Sequence, residues 1–360
     1  MIEMKVLVLG YFGFVKNQLD GQTVKTRNVY ALLKKNVADV SYFDTEELHT
    51  SRLAMFRMFR DFCKASTVFY PAAGNSLAYI FPIIYILSLI FRVKINFIQI
   101  GGWLSNFLDK NPIHEFMLRR VNCVFAETET MESKLKEKHG FKNVTLLSNF
   151  RMTDFIPTPH HTEGMLKCVF MARVIKMKGI DIIFDLCDKI SESGLNISVD
   201  FYGKIGEADH NYFVENLANH PNSKYCCELM PDDITEVLNN YDVMLLPTHY
   251  YTEGFPGSIL EAYLSGIPVI VSDFQNAKLL VDDGTTGYIF KGGNLVPMME
   301  GVHPIQKIEF DDDALSNLFT AVKRLYDSPE TLLQQKQNAY KESLKYRPES
   351  AWQVVAPKIS

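Results

Sequence analysis

Strand-like and helical segments alternate along almost the whole chain, and no other feature of the sequence restricts the fold as strongly. Short apolar runs rich in Val, Ile, Phe and Tyr are separated by longer segments with helical periodicity. Two parallel strands cannot be joined by a tight turn and need a crossover, usually a helix. The alternation therefore predicts an α/β protein built on parallel sheets.

The predicted strands form two sets of six, separated by a segment without a clear period. That segment, residues 149–165, carries two prolines and two adjacent histidines, which is typical of an interdomain connection. We therefore predict two similar α/β domains in tandem, residues 1–155 and 156–340, followed by a helical tail, residues 341–360. The predicted strands are residues 5–12, 38–44, 66–72, 94–100, 123–127, 144–149, 167–173, 197–203, 223–229, 242–248, 268–273 and 287–290.

Composition excludes several classes of protein. Hydrophobic residues make up 47% of the chain and charged residues 22%, which favours a packed core over disorder. The net charge of −5 argues against a nucleic-acid-binding protein. The six cysteines form no CxxC pair, and the first residues lack the basic region and long apolar run of a secretory leader. We therefore predict a reduced, cytoplasmic protein.

Two segments raise the question of membrane contact. Residues 76–91 are apolar almost throughout, but the run has only sixteen residues and contains Pro82. A membrane span needs roughly 20 apolar residues, so a buried or interface helix is predicted. Residues 51–64 resemble a basic amphipathic helix that could lie on an anionic bilayer at the inner face of the cell membrane. The alternative is an ordinary surface helix packed on the sheet. The basic residues are Arg52, Arg57, Arg60 and Lys64.

Two glutamates flank the predicted start of a helix. The strand 242–248 leads into a loop with Glu253, a helix begins near Pro256, and Glu261 lies in its first or second turn. Free N–H groups at a helix start bind anions, and carboxylates accept hydrogen bonds from sugar hydroxyls. The stretch therefore predicts a site for a sugar–diphosphate–nucleoside. Alternatively, Glu261 only complements the helix dipole. The residues around the helix start are Gly254, Phe255, Pro256, Gly257 and Ser258.

Two cations follow the first strand of the second domain. Arg173 and Lys178 flank the end of that strand and a predicted helix start at Gly179. Two positive charges there could neutralise a diphosphate, although a solvated basic loop is the alternative. No Asp-x-Asp cluster occurs at the strand ends, so we expect neither a metal ion nor a cofactor.

These motifs resemble those of the glycogen-synthase-like retaining glycosyltransferases (group 1, family 4). In that family an Arg-x(4)-Lys-Gly motif precedes a Glu-x(7)-Glu motif with Gly-Phe after the first glutamate. Here the first motif reads Arg173, Lys178 and Gly179, and the second reads Glu253 and Glu261. The resemblance implies a GT-B fold, in which two Rossmann-like domains face each other across a cleft. It makes the first domain acceptor-binding and the second nucleotide-sugar-binding, and we expect the tail to pack back on the first.

The resemblance also implies roles in a UDP- or GDP-sugar complex. Arg173 and Lys178 would bind the diphosphate, with the backbone of residues 254–258 at the helix start. Glu261 would hold the ribose, and Glu253 would contact the donor sugar on the reacting face.

Further donor contacts are implied outside these motifs. In the first domain, the loop of residues 20–23, with Gly21 and Gln22, would bring backbone N–H groups to the donor. Gly203 and Met230 would border the nucleobase, with core packing as the alternative for Met230.

The implied reaction is retaining hexosyl transfer to a saccharide or lipid-linked saccharide acceptor, in the biosynthesis of a surface polysaccharide. One departure from the family pattern concerns the acceptor base. Gly101, Gly102 and Trp103 stand where many relatives have a histidine after the fourth strand. The leaving phosphate could itself accept the proton, and no carboxylate nucleophile is then assigned.

Three other functions remain open at this point. An NAD-dependent dehydrogenase would use Asp44 as its ribose ligand, but the GxGxxG spacing is missing after the first strand. A nucleotide-sugar epimerase of the same fold would bind the same donors. A non-catalytic carbohydrate-binding protein is the third alternative.

Overall fold

The fold is described in a computed structural model of the chain. It describes residues 5–16, 18, 20–49, 51–161, 164–300 and 303–359, with the backbone alone at residues 49, 52, 300, 303 and 304. The chain divides into two compact units. The first comprises Met1–Met152 with Tyr346–Ser360, and the second comprises Thr153–Lys345. The sequence-based boundaries were drawn after residues 155 and 340.

The first unit is built on a six-stranded parallel sheet, with strand order β2-β1-β3-β4-β5-β6. Every strand coincides with a predicted run. The strand order reverses between β1 and β3: β2 lies on one side of β1, and β3 and the later strands lie on the other side. Its strands are β1 Lys5–Gly10, β2 Asp39–Asp44, β3 Thr67–Ala72, β4 Lys94–Gln99, β5 Cys123–Ala126 and β6 Val144–Leu146.

The second unit has another six-stranded parallel sheet, with order β12-β11-β10-β7-β8-β9. This is a doubly wound Rossmann arrangement, and its reversal lies between β7 and β10. The α/β fold class is therefore confirmed, although the two sheets differ in strand order. The strands are β7 Leu166–Met171, β8 Ile197–Tyr202, β9 Ser223–Cys227, β10 Val243–Leu246, β11 Val269–Ser272 and β12 Gly287–Phe290.

An antiparallel hairpin, β13 Asn294–Glu300 and β14 His303–Glu309, was not predicted. Each strand contains a proline, and a proline within an apolar run argues against a strand. The α-helices cover both sheets: α1 Gly21–Asn36, α2 Arg52–Lys64, α3 Gly74–Tyr79, α4 Phe81–Phe91, α5 Leu104–Lys110, α6 Pro112–Leu118, α7 Glu129–Ser133, α8 Ile180–Ser193, α9 His210–Asn219, α10 Ile234–Leu238, α11 Gly257–Leu264, α12 Ala277–Leu280, α13 Asp312–Asp327, α14 Pro329–Ser343 and α15 Pro348–Val355.

The last residues of the chain complete the core of the first unit. Ala351, Val355 and Ile359 are buried against α1 and one face of the sheet. The Thr67 hydroxyl donates to the carbonyl of Ile359 at 3.0 Å, and the Asn96 amide donates to the carbonyl of Lys358, also at 3.0 Å. These bonds anchor the tail to β3 and β4.

The opposite face of the first sheet is covered by α2 to α7. The predicted apolar helix at residues 76–91 is in fact two short helices, α3 and α4, and Pro82 lies in the first turn of α4. Proline suits that position because a first-turn N–H has no intrahelical partner. No helix among the described residues is both long enough and apolar enough to cross a membrane.

Candidate functional site

The candidate site of the second unit lies where its sheet reverses, at the carboxyl ends of β7 and β10. In doubly wound sheets, ligands bind at this edge. Gly179, just before α8, adopts φ +89°, and a Cβ there would lie 1.9 Å from the carbonyl oxygen of Pro247. Only glycine permits this approach. It brings the loop after β7, which contains Lys178, against the loop after β10.

Lys178 and Glu253 form an ion pair through Nζ and Oε1. Both side chains are only 14% exposed. The Thr248 hydroxyl donates to the same Oε1 at 3.3 Å, and the Lys178 ammonium lies 5.2 Å from the ring centre of Tyr250. An ammonium has three N–H donors, so Lys178 can hold Glu253 and still donate to a ligand. The structure thus joins two residues that the sequence assigned to different parts of the donor.

Arg173 lies at the end of β7 with an exposed side chain. Within the described part of the chain, its guanidinium donates to no carboxylate or carbonyl. Its neighbour Lys176 differs, because that ammonium lies 3.8 Å from the ring centre of Tyr212. Arg173 is therefore available to an anionic ligand at the strand end.

Gly203 closes the edge of the site beside Arg173. Its φ is +127°, and a Cβ there would lie 2.0 Å from the carbonyl oxygen of Ala172. Glycine is thus required for the backbone at the end of β8 to approach the backbone at the end of β7. Its contact with a nucleobase stays a prediction.

The start of α11 differs slightly from the sequence-based expectation. Pro256 is the N-cap residue and Gly257 the first helical residue, rather than Pro256 itself. As first-turn residues, Gly257 and Ser258 have no intrahelical partner for their N–H groups. At this helix start the N–H groups without an intrahelical partner are therefore those of residues 257 and 258, since proline has none; their contact with a diphosphate stays a prediction.

The loop before α11 is held by a residue that sequence reasoning missed. The Asn276 side-chain amide donates to the carbonyl of Glu253 at 2.7 Å and to that of Gly254 at 3.3 Å. Asn276 is buried, and so are Phe255 and Pro256. The backbone next to Glu253 is consequently fixed before any ligand binds.

Glu261 lies in the second turn of α11 and is only 6% exposed. Its neighbours Leu260 and Ala262 are fully buried. A carboxylate that only complements a helix dipole gains nothing from burial, because burying a charge is costly. The buried carboxylate therefore needs hydrogen-bond donors, and its contact with a ribose stays a prediction.

The first unit places Gly21 and Gln22 at the first turn of α1. The Asp20 carboxylate accepts hydrogen bonds from the N–H groups of Gln22 and Thr23, both at 2.9 Å. Two of the N–H groups expected to reach the donor therefore already have an acceptor. Gly21 is exposed, and a Cβ added there would meet nothing within 4 Å. Packing within the unit therefore does not require glycine at this position.

Met230 does not pack in the core. It lies beyond β9, and 54% of its surface is exposed. The alternative of core packing is therefore wrong, because the segment that carries Met230 runs along the surface.

Asp44, the ribose ligand of the dehydrogenase hypothesis, is almost completely buried. Its carboxylate accepts from the N–H groups of Phe12 at 3.0 Å, Phe14 at 3.1 Å and Glu46 at 3.0 Å. A carboxylate occupied by backbone donors in this way is not accessible to a ribose. The geometry argues against the dehydrogenase.

His249 is a second residue that sequence reasoning missed. Its Nε2 lies 2.9 Å from Asp181 Oδ1 and its Nδ1 lies 2.7 Å from the carbonyl oxygen of Ile308. Two acceptors at the two ring nitrogens favour the imidazolium. Burial lowers the pKa of His249, but the hydrogen bond and charge of Asp181, with the Ile308 carbonyl, outweigh it and raise the pKa above the ordinary 6.5. The pair ties the loop after β10 to α8 and β14.

This pair predicts a pH-dependent contribution to stability. When the pKa of a histidine is higher in the folded than in the unfolded state, its protonation stabilises the folded protein. This contribution is complete at pH values below the unfolded-state pKa and is lost as the pH rises through the folded-state pKa. We expect the free energy of unfolding of the wild type to decrease between about pH 6 and pH 9. The decrease should be smaller in His249→Asn, which has no imidazole to titrate. Denaturant titrations at both pH values measure it, with exposed His210→Asn as the control. Equal pH dependence in wild type and His249→Asn would contradict the assignment.

In the described residues, no group of three or more His, Cys, Asp or Glu side chains is arranged to hold a metal ion. Metal independence nevertheless stays a prediction.

The comparisons with known proteins all point to glycosyltransferases. The model of "Glycosyl transferases group 1" matches residues 153–303, which contain every site residue predicted in the second unit. The chain is 24% identical over 225 residues to a putative colanic acid biosynthesis glycosyltransferase, WcaL, of Salmonella typhimurium, covering 59% of the chain and 54% of the relative. The chain thus spans about half the length of that relative.

Two further comparisons concern a shorter segment and the fold. A 70-residue segment is 36% identical to the N,N'-diacetylbacillosaminyl-diphospho-undecaprenol alpha-1,3-N-acetylgalactosaminyltransferase of Campylobacter jejuni, covering 19% of the chain and 18% of the relative. The crystal structure of Anabaena Alr3699/HepE in complex with UDP and glucose superposes with a TM-score of 0.70 at 14% identity, covering 99% of both chains. That likeness shows the GT-B fold. Residues 153–303, the part of the chain that the family model matches, are thus similar to the group 1 glycosyltransferases, and the sequence relatives carry names of the same kind.

Proposed function

We propose that the chain is a retaining hexosyltransferase that moves a sugar from a UDP- or GDP-sugar to a saccharide or lipid-linked saccharide, in the biosynthesis of a surface polysaccharide. The observation that carries this proposal is the Lys178–Glu253 pair at the reversal of the second sheet. It puts a cation and a carboxylate side by side at the edge where such sheets bind nucleotides.

The relatives support the substrate classes. The name of the Salmonella relative refers to colanic acid, a polysaccharide, and that of the Campylobacter relative to a diphospho-undecaprenol acceptor. The Anabaena protein was crystallised with UDP and glucose. We extend these classes to the present chain as a proposal.

In the proposed complex, the diphosphate is bound by Arg173, Lys178 and the N–H groups of residues 257 and 258. Negative charge grows on the diphosphate as the bond to the sugar breaks, and these groups stabilise it. Glu261 accepts hydrogen bonds from the ribose, and Glu253 accepts from a hydroxyl of the donor sugar.

The acceptor proton goes to the leaving phosphate. Gly101 offers no imidazole, and its N–H donates to Glu127 Oε2 at 3.1 Å, while Trp103 Nε1 donates to the carbonyl of Ile100 at 2.6 Å. Glu253 is held by Lys178, which lowers the nucleophilicity of its carboxylate. We therefore assign neither a side-chain base nor a carboxylate nucleophile.

A donor screen tests the proposal. Nucleotide sugars that bind the folded state should raise the melting temperature, by mass action. Those that do so are then incubated with saccharide acceptors. We expect release of the free nucleoside diphosphate and a glycosidic product with the anomeric configuration of the donor, followed by NMR. An epimerised nucleotide sugar would support the epimerase instead, and binding without any turnover would support the carbohydrate-binding alternative.

The same assay measures metal dependence. The cations and the helix start supply the charge that a divalent ion supplies in metal-dependent enzymes, so activity should survive EDTA. Complete loss with EDTA and recovery with Mn²⁺ would contradict this part of the proposal.

We also infer peripheral contact with the inner face of the cell membrane, because a lipid-linked acceptor is held there.

A further inference from the structure

Helix α4 is apolar along its whole length but only half buried. It has no charged residue, and helices that are apolar all round are normally enclosed by protein or lipid. One side packs into the core through Phe81, Ile84 and Tyr85. The exposed side chains of the other side are Ile83, Ile86, Leu89, Ile90 and Phe91.

The neighbouring helix α2 extends this surface. Ala54, Met58 and Phe62 pack on the sheet, as the surface-helix alternative required. The outward side is nevertheless apolar, with Leu53 75% exposed and Phe56 74% exposed. The two helices meet through the rings of Phe59 and Phe91, whose centroids are 5.8 Å apart.

Helix α6 continues the surface on the other side of α4. The Nε2 atom of His114, in α6, lies 3.3 Å from the carbonyl oxygen of Ala78, in α3. Ile113 is 71% exposed, and Phe116 is also exposed. We call this surface the apolar face; its exposed members are Leu53, Met55, Phe56, Phe59, Tyr79, Ile83, Ile86, Leu89, Ile90, Phe91, Ile113 and Phe116.

The charges beside the apolar face are mainly positive, in a chain with a net charge of −5. Three arginines are paired with acids: Arg57 with Glu47, Arg60 with Asp61 and Arg119 with Glu115. Three further cations are exposed, and within the described residues none pairs with a carboxylate. They are Lys64, Arg92 and Arg120. The side chain of Arg52 lies outside the described part.

We propose that the apolar face enters the headgroup region of an anionic bilayer, with α4 at its centre and the cations against lipid phosphates. Apolar side chains contribute by burial, and juxtamembrane cations by attraction to anionic lipid. A second copy of the chain fits less well, because two such faces would bring like charges together. The inference rests on the proposed function in that a lipid-linked acceptor is met at the bilayer.

Vesicle sedimentation tests the apolar face. We expect wild type to bind vesicles containing phosphatidylglycerol more tightly than vesicles of phosphatidylcholine alone. Ile86→Glu and Leu89→Glu should each lower the partition coefficient about tenfold or more, since each removes one aliphatic side chain that would be buried in the bilayer. The matched control is Val214→Glu, which adds a charge at an exposed apolar position of α9 in the second unit and should bind like wild type.

The cations are tested in the same way. Lys64→Glu and Arg92→Glu should each weaken binding to the anionic vesicles by about fivefold. The difference in affinity between wild type and each variant should become smaller at high salt, which screens the charges. Circular dichroism and the melting temperature show whether each variant is folded.

Three outcomes would overturn the inference: no vesicle binding by wild type, undiminished binding by folded Ile86→Glu and Leu89→Glu, or a wild-type dimer that these variants dissociate without a change in vesicle binding. Nucleoside diphosphate release with a water-soluble acceptor is measured in parallel. Release without vesicle binding contradicts only the inference, whereas vesicle binding without release by any donor contradicts only the proposed function.

Discussion

Arg173→Ala and Lys178→Ala should each lower kcat by about 100-fold or more, as removal of other oxyanion-stabilising groups does. The charge on the diphosphate grows toward the transition state, so these cations contribute more there than in the ground state. The KM for the donor should therefore change less than kcat. Steady-state kinetics with the donor found in the screen measure both constants.

The decrease in kcat of the double variant should be smaller than the product of the two single decreases, because both cations stabilise the same diphosphate charge. Lys176→Ala is the matched control, since Lys176 belongs to the same loop but lies over Tyr212. It should keep nearly wild-type kcat. Because Lys178→Ala leaves Glu253 without its ion pair, its melting temperature is recorded as well. Near-wild-type kcat in both single variants would show that the two cations do not act on the diphosphate and that the catalytic site lies elsewhere.

Glu261→Gln should weaken donor binding by about tenfold or more while the fold is retained. The change removes the charge of a buried acceptor, and hydrogen bonds to charged groups contribute roughly 1.5–3 kcal/mol. Titration calorimetry with the nucleotide and the nucleotide sugar measures the affinity. The ribose role predicts similar losses for both ligands.

Glu215→Gln serves as the control for that experiment, because Glu215 is an exposed helical glutamate of the same unit. It should bind like wild type. Should Glu261→Gln bind every wild-type ligand with unchanged affinity, Glu261 would have a structural role only.

The sequence by itself determined the strands of the two parallel sheets and the motifs of the candidate site. All twelve strands of the two parallel sheets were predictable, because buried parallel strands are short, β-branched or aromatic runs between helical segments. The motif spacing of Arg173, Lys178, Glu253 and Glu261 indicated the group 1 glycosyltransferases, whose family model matches residues 153–303. The hairpin β13–β14 was missed, because its prolines imitate a loop.

The tertiary structure alone decided how strands and side chains are paired. The same alternation produced two different strand orders, since order depends on contacts between distant segments. Lys178 and Glu253 are 75 positions apart, and their contact depends on the close approach of Gly179 to Pro247. Likewise, the use of the Asp44 carboxylate by backbone N–H groups could not be read from a local pattern.

Burial is the other property that only the tertiary structure decided. The sequence showed that residues 81–91 are apolar, but composition does not tell which side of a helix faces the core. Packing on the sheet buries Ile84 and leaves Ile86 exposed, two residues away on the same helix. The burial of Glu261 and the exposure of Met230 likewise could not be predicted from the sequence. The exposure of each side chain depends on its surroundings, which are assembled from distant parts of the chain.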